Sequence, residues 1–217
     1  MLGKKEKKPM FRIKLIGIAL IGAISCSMVA ATPDAKKITL AEYVNTVEKP
    51  ASADSPKFDT TLWIHPIIDE CHPSGRFSPN EAFSGKFPDE LRNGMAAFFQ
   101  RKGRFAKVDL NSGDLSLVAK WVEFEGGSGN PPRLSVGIEI RLYYTPTEMT
   151  LLNGKVESSM PVNSGALHEL RVVTVGEREW ILKNGTYGTA EVCRSMFNRL
   201  DSMLMENSKA VLEKIAK

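Results

Sequence analysis

The most regular hydrophobic pattern in the chain lies in residues 133–144, where apolar and polar positions alternate strictly. A period of two is typical of a β-strand with one buried face and one solvent-facing side. Residues 115–124 are rich in Val, Trp and Phe and predict a second strand. The stretch between them, residues 126–132, is rich in Gly and Pro and precedes a strand, so it predicts a turn rather than a phosphate-binding loop. We therefore expect an antiparallel strand pair.

Two other stretches have the 3.6-residue period of amphipathic helices. The first begins at Pro88, has acidic residues in its first turn and ends before Gly103, all of which favour a helix. Its apolar residues have the spacing of one buried helix face: Leu91, Met95, Phe98 and Phe99. A longer helix is predicted over residues 189–216, which close the chain.

The remaining elements are less clearly marked. Residues 60–65 have the β-branched and aromatic content of a strand. Asn153-Gly154 is a hairpin-turn dipeptide and predicts two short arms, residues 149–152 and 155–159. Further strand candidates are residues 105–108, 168–175 and 180–182. The order of strand, helix, several strands and helix predicts an α+β fold, with a mostly antiparallel sheet and two main helices packed on one face.

The amino terminus has a separate pattern. Six basic residues lie within the first 14 positions, the apolar run 15–25 follows, and Cys26 comes directly after it. A basic start before a short apolar run is typical of an export signal. Ser25-Cys26 resembles the lipobox of bacterial lipoproteins, in which the cysteine is lipidated and becomes the first residue. Two alternatives are cleavage before Thr32, which gives a soluble exported protein, and an uncleaved anchor.

We therefore expect three segments: a signal peptide (1–25), a lipidated start with a flexible tether (26–58), and a single α+β domain (59–217). The tether assignment follows from its Pro, Ala and Ser content. Thr39 and Glu42 have the spacing of a capping box, which predicts a short helix or docking segment within the tether.

Removal of the export signal changes the charge of the protein. The whole chain has 29 basic and 25 acidic residues and a net charge of +4. Residues 1–25 contain six of the bases and one of the acids, so the remaining chain has a net charge of −1. It also lacks a basic run with interleaved aromatic residues, which argues against nucleic-acid binding.

Two cysteines remain besides Cys26. In an oxidising compartment an even pair of cysteines favours a disulfide, here between Cys71 and Cys193. The alternative is two buried, unpaired thiols. Cys71 also belongs to the densest group of potential metal ligands, residues 65–72, but this group contains no metal-binding motif. We interpret it as a polar loop and expect neither a metal ion nor a cofactor.

No catalytic motif is evident in the sequence, and no catalytic residue is predicted. Glu123 and Glu125 have strand spacing and are interpreted as solvated charges. The best interface candidates are Arg141 and Tyr143, which lie on the polar side of the alternating strand. Exposed arginine and tyrosine side chains are over-represented at binding hot spots.

Residues 87–108, 113–125 and the closing helix together resemble a group of small bacterial envelope lipoproteins. This group includes the curli-secretion lipoprotein, the penicillin-binding-protein activator lipoproteins and the amino-terminal domain of the Tol-system propeller protein. Auxiliary lipoproteins of envelope ABC transporters are a looser comparison. The resemblance implies an accessory or assembly role without catalytic residues, so no functional residue is transferred from it.

We predict a non-catalytic accessory lipoprotein that faces the periplasm from the outer membrane. It would act through protein–protein contacts in an envelope assembly or transport complex. The alternatives are a soluble or anchored periplasmic binding module for a lipid, glycan or peptide and, third, a hydrolase. A hydrolase would need His65 or His72 within hydrogen-bond reach of a carboxylate.

Overall fold

The predicted strand pair lies at the centre of one mixed β-sheet in the computed structural model of the chain. The structure describes residues 38–75, 78–83, 85–128, 133–161 and 175–216. The helices are α1 (Leu40–Val47), α2 (Pro79–Ala82), α3 (Phe87–Lys102), α4 (Val175–Glu206) and α5 (Ser208–Ile215). The strands are β1 (Phe58–Ile64), β2 (Ile68–Asp69), β3 (Ser74–Gly75), β4 (Phe105–Asp109), β5 (Leu115–Ser128), β6 (Arg133–Tyr144) and β7 (Met149–Pro161).

The strand order in the sheet is β4-β1-β5-β6-β7. Strands β5, β6 and β7 are long and antiparallel, and the β5–β6 pair is the one that the sequence predicts. Strand β1 instead runs parallel to both β4 and β5, and the short strands β2 and β3 pair in parallel with β5. The parallel β1–β4 pair follows from connectivity, because α3 returns the chain to the starting edge before β4 begins. The α+β fold class is confirmed.

The helices pack on one face of this sheet. Helix α3 contacts β4, α4 contacts β6 and β7, and α1 contacts both α3 and α4. The inward residues of β6 are the apolar members of its alternating pattern, and they are buried. The largest fully buried side chains include Trp121, Phe58, Phe87, Phe98, Phe99 and Phe197. The other face of the sheet presents the polar members, and we call it the open face.

The predicted hairpin at Asn153-Gly154 is wrong, because both residues lie within the continuous strand β7. The chain reverses direction earlier, in a short 3-10 turn (Thr145–Thr147) followed by Glu148 at a φ of 55°. Gly154 faces α4 instead. A Cβ atom there would make an ordinary contact, 3.5 Å from Sδ of Met203.

The predicted strand at residues 180–182 is also wrong, because these residues lie in α4, which begins at Val175 rather than near Thr189. Residues 168–174 lie outside the described part of the chain. Among the described residues, no helix combines the length and the apolar character needed to span a membrane.

Helix α1 forms where the capping box predicts it, with Thr39 and Glu42 each bonding the other's backbone N–H. It is not part of a loose connection. Leu40 and Val44 are fully buried, and the backbone N–H of Leu40 donates to the buried Glu90 carboxylate on α3 at 2.9 Å. The helix predicted within the tether is therefore packed into the core of the folded structure.

Candidate functional site

The open face contains a groove of about 670 Å³ above the middle of β5, β6 and β7. The alternation of these strands sends polar side chains to this side, so the groove follows directly from the binary pattern of the sequence. Its lining residues are Val118, Lys120, Glu139, Ile140, Arg141, Tyr143, Asn153, Gly154 and Lys155. Both predicted interface residues, Arg141 and Tyr143, therefore lie in one concave surface.

An aromatic cluster of Trp63, His65 and Tyr143 closes one end of this face. The rings of Trp63 and His65 stack with centroids 3.6 Å apart, and Nε2 of His65 lies 3.4 Å from the hydroxyl of Tyr143. Ser116 lies between Trp63 and Tyr143 in the strand register and is fully buried. The cluster thus gives the open face an ordered, partly apolar end.

Arg92 supports this cluster from α3. Its guanidinium donates to the carbonyl of Ile64 at 3.0 and 3.1 Å, and also to the carbonyl of Leu110. It thereby ties the end of β1 to the connection between β4 and β5. Burial and the nearby charge of Arg92 lower the pKa of His65, so this ring is neutral at neutral pH.

The connection from β4 to β5 passes very close to β1, which requires a glycine. A Cβ atom on Gly113 would lie 2.7 Å from the carbonyl oxygen of Thr61 and 2.8 Å from the backbone nitrogen of Trp63. The next residue, Asp114, accepts a hydrogen bond from the backbone N–H of Thr61 at 3.0 Å. This close crossing helps to position Trp63, a member of the aromatic cluster.

Most charges on the open face are paired. Lys120 contacts Glu70 at 2.8 Å, and Lys155 contacts both Glu123 and Glu157 at 2.8 Å. These pairs raise the pKa of Lys120 and Lys155 and lower that of Glu157. Exposed ion pairs of this kind contribute little to stability, so they shape the surface more than they hold the fold.

Arg141 lies outside these ion pairs, as does Glu139 two residues before it. The Arg141 side chain is exposed and makes no hydrogen bond or ion pair with any residue in the described part of the chain. A guanidinium presents five N–H donors in a fixed planar arrangement, which suits a carboxylate from another molecule. Arg141 is therefore the group on this face that is best prepared to bind a partner.

The potential metal ligands in residues 65–72, which the sequence analysis interprets as a polar loop, do not converge. His65 contacts Trp63 and Tyr143, Glu70 pairs with Lys120, and Asp69 accepts from the backbone N–H of Cys71. Within the described residues, no three His, Cys, Asp or Glu side chains are placed to hold a metal ion. Glu123, one of the two carboxylates that the sequence analysis interprets as solvated charges, pairs with Lys155.

The predicted disulfide is absent, since Cys71 and Cys193 are both free thiols. Cys71 follows β2 beside β5, whereas Cys193 is fully buried within α4. Burial, with the negative charges of Asp69 and Glu123, raises the pKa of Cys71 to about 11. Burial alone raises the pKa of Cys193. The alternative of two buried, unpaired thiols is correct for Cys193, whereas Cys71 is unpaired but only partly buried. Cys26 lies outside the described residues.

The sequence analysis missed a buried charge network among α1, α3 and α4. Glu48, which is 5% exposed, pairs with Lys102 at 2.7 Å and with Arg194 at 3.3 Å. Arg194 also pairs with Glu191, which accepts a hydrogen bond from the hydroxyl of Tyr43 at 2.6 Å. These residues are far apart in the chain, so their contacts could not be predicted from the sequence. The one local indication is Glu48, an acidic residue at the end of α1.

Comparisons with known proteins identify the fold and not a family. No protein-family model matches the chain, and no curated protein matches it. It is similar to the solved structure of a Xanthomonas campestris protein of family DUF330, with a TM-score of 0.54 and 11% identity over 74% of this chain and 92% of that one.

Two further similarities are weaker. A hypothetical protein from Chlamydia trachomatis gives a TM-score of 0.46 and 9% identity over 66% of this chain and 95% of that one. A lipoprotein from Neisseria meningitidis gives 0.35 and 14% identity over 51% and 91%. These two scores are too low to establish a shared fold. The Xanthomonas structure shows that this arrangement of sheet and helices occurs in a second protein.

Proposed function

We propose that this protein is a non-catalytic accessory lipoprotein of the bacterial envelope that binds a partner protein through its open face. Cys26 carries the lipid, and the folded part faces the periplasm. The pattern of basic residues, apolar run and cysteine supports export and anchoring. Ser27, rather than Asp, follows the cysteine, which by analogy with bacterial lipoproteins permits sorting to the outer membrane.

The observation that carries the proposal is the exposed Arg141 beside Tyr143 in the groove. Arginine and tyrosine anchors in a concave patch are typical of interface hot spots, and a ring of less important contacts excludes water around them. The paired charges of Lys120 and Lys155 provide such a polar rim. A partner carboxylate placed over Arg141 would complete its hydrogen bonding.

The surroundings of His65 favour binding over hydrolysis. A hydrolytic histidine needs a carboxylate or a nucleophile within hydrogen-bond reach. His65 instead lies against an indole ring and a phenol hydroxyl. Its lowered pKa is explained by burial and by Arg92, so it needs no catalytic explanation.

Site-specific photo-cross-linking in intact cells tests the proposal. A photoreactive amino acid would replace Lys120 or Asn153 in the groove, and Lys209 on α5, whose side chain is 91% exposed, would serve as the control position. We expect one discrete adduct with an envelope protein from the groove positions and none from Lys209. Equal adducts from all three positions, or none from the groove, would contradict binding at the open face.

Affinity purification of variants gives the residue-level test. Arg141→Ala and Tyr143→Ala should each weaken partner recovery, because loss of a hot-spot side chain costs about 2 kcal/mol, or roughly thirtyfold in affinity. Arg133→Ala is the matched control. It lies on the same strand, but its side chain is bonded to Ser159 and does not line this groove. Equal loss in all three variants would point to misfolding instead.

Anchoring is tested separately by Cys26→Ala followed by cell fractionation. We expect the variant to appear in the soluble periplasmic fraction, because the acyl chains that hold the protein on the membrane can no longer be attached. Unchanged membrane association would contradict the lipid anchor. It would not affect the open-face proposal, which the cross-linking and affinity experiments test.

A further inference from the structure

We propose that the outer surface of α1 and the adjoining turn of α4 rests on the lipid bilayer in which the Cys26 lipid is inserted. We call this the membrane-facing surface and define it by Tyr43, Val47 and Tyr187. The inference rests on the lipid anchor of the proposed function but concerns a different surface from the open face. The protein would then have one surface that binds a partner and another that lies on the membrane.

The first support is a local concentration of exposed apolar groups. The large hydrophobic side chains exposed among the described residues are Val47 (39%), Ile68 (44%), Tyr187 (43%) and Leu212 (41%). Val47 and Tyr187 are both adjacent to Tyr43, which stands one helical turn before Val47 and contacts the ring of Tyr187 edge-on at 6.3 Å. Ile68 and Leu212 lie on other elements, β2 and α5.

The second support is the chemistry of the exposed groups. Tyrosine has an apolar ring and a polar hydroxyl, and it is enriched where hydrocarbon meets lipid headgroups. The hydroxyl of Tyr43 is fixed by its hydrogen bond to Glu191. Exposed cations lie next to Val47: Lys49 follows two residues later, and Arg101 donates to the carbonyl of Glu48 at 3.1 Å. Cations at this position suit anionic lipid headgroups.

The third support is the length of chain between the lipid and α1. Twelve residues, 27–38, separate Cys26 from the N-cap Thr39. Even fully extended, they reach at most about 40 Å, which is close to the diameter expected for a domain of this size. This reach allows the α1 side of the protein to lie against the bilayer, and the exposed groups of the membrane-facing surface select that side.

Environment-sensitive labelling of the complete lipoprotein in vesicles tests this proposal. Single cysteines would be placed by Val47→Cys, Tyr187→Cys and the control Ile68→Cys, which has the same exposure on another element. All three would carry Cys71→Ala, and Cys193 is fully buried and can remain. Each protein would receive an NBD probe and be reconstituted in vesicles of phosphatidylethanolamine and phosphatidylglycerol with or without a doxyl-labelled lipid.

We expect the doxyl lipid to quench probes at positions 47 and 187 several-fold more than the probe at position 68. Equal quenching at all three positions, in protein that floats with the vesicles, would overturn the membrane-facing surface while leaving the anchor intact. Protein that does not float with the vesicles would overturn both the anchor and this inference. Neither result bears on cross-linking at the open face, so the two proposals fail separately.

Discussion

Charge is buried between distant parts of the chain at the pair of Arg104 and Asp201. Arg104, just before β4, forms a double hydrogen bond with Asp201 on α4 at 2.8 and 2.9 Å. Both residues are less than a tenth exposed. Removing one partner from such a pair leaves the other charge buried without compensation, which costs far more than the pair itself contributes. This contact therefore determines how α4 sits relative to β4.

We expect Asp201→Ala to lower the free energy of unfolding by about 3–5 kcal/mol, measured by urea denaturation. The matched control is Glu213→Ala, which removes the acid of an exposed pair with Lys209 and should cost about 0.5 kcal/mol or less. A similar small effect in both variants would show that the Arg104 charge finds another partner or reaches solvent.

The two cysteines give a second prediction at this scale. The raised pKa of about 11 leaves Cys71 with little thiolate at neutral pH, and Cys193 is inaccessible. We expect the folded protein to react with iodoacetamide at Cys71 about a hundredfold more slowly than an ordinary thiol, because only the thiolate attacks. Denaturation without a reductant should expose both thiols, as read by mass spectrometry. Failure to label either one would indicate a disulfide after all.

Among the elements, α1 has a larger role than its eight residues suggest. Its buried side packs against α3, where Gly94 leaves space for the side chain of Leu40. A Cβ atom on Gly94 would lie 2.5 Å from Cγ of Leu40. Its carboxyl end carries Glu48 into the charge network with Lys102 and Arg194. Apolar contact and charge thus hold the same short helix at both ends.

Leu40→Ala should therefore destabilise the protein by about 2–5 kcal/mol, the cost of a cavity at a fully buried leucine. Val47→Ala on the same helix alters a side chain that is 39% exposed and should change stability by no more than about 0.5 kcal/mol. Thermal or urea unfolding of the two variants checks the difference. Equal effects would mean that α1 is not docked in solution.

The charge network gives a pH dependence. Burial opposes ionisation of Glu48, but hydrogen bonds and charges from Lys102 and Arg194 outweigh it and hold the pKa below the ordinary value of 4.5. Arg194 likewise lowers the pKa of Glu191. A carboxylate with a lowered pKa in the folded state contributes stability that is present above its unfolded pKa and is lost as pH falls through the folded one.

We therefore expect the urea midpoint to fall as the pH drops from neutral to below about 4. Glu48→Gln should be less stable at neutral pH and should lose less on acidification, because it lacks one of the titrating groups. Glu213→Gln, at an exposed position of α5, is the control and should follow the parent protein. An unchanged slope in Glu48→Gln would exclude Glu48 as a source of the acid sensitivity.

At the scale of the whole molecule, the helices on one face of the sheet leave the other face to solvent. The open face contains the groove, Arg141 and the aromatic cluster. The α1 side is connected by a short segment to the proposed lipid at Cys26. If both proposals hold, the protein lies on the membrane through one side and presents its groove from another.

The sequence by itself determined the elements whose information is local. Strict alternation specified β6 and its two faces, helix signals specified α3 to within a residue at its start, and the Thr39–Glu42 capping box specified α1. The same alternation put Arg141 and Tyr143 on the polar side. These features depend on backbone geometry and the period of burial, both of which neighbouring residues set.

Only the tertiary structure decided what depends on residues far apart in the chain. It showed that β1 pairs in parallel with β4 and β5, that Asn153-Gly154 continues a strand against α4, and that the two cysteines stay apart. The buried pair of Arg104 and Asp201 and the contact of His65 with Tyr143 belong to the same class. The sequence pattern around a polar residue does not indicate its partner, because pairing depends on how the packed elements bring distant positions together.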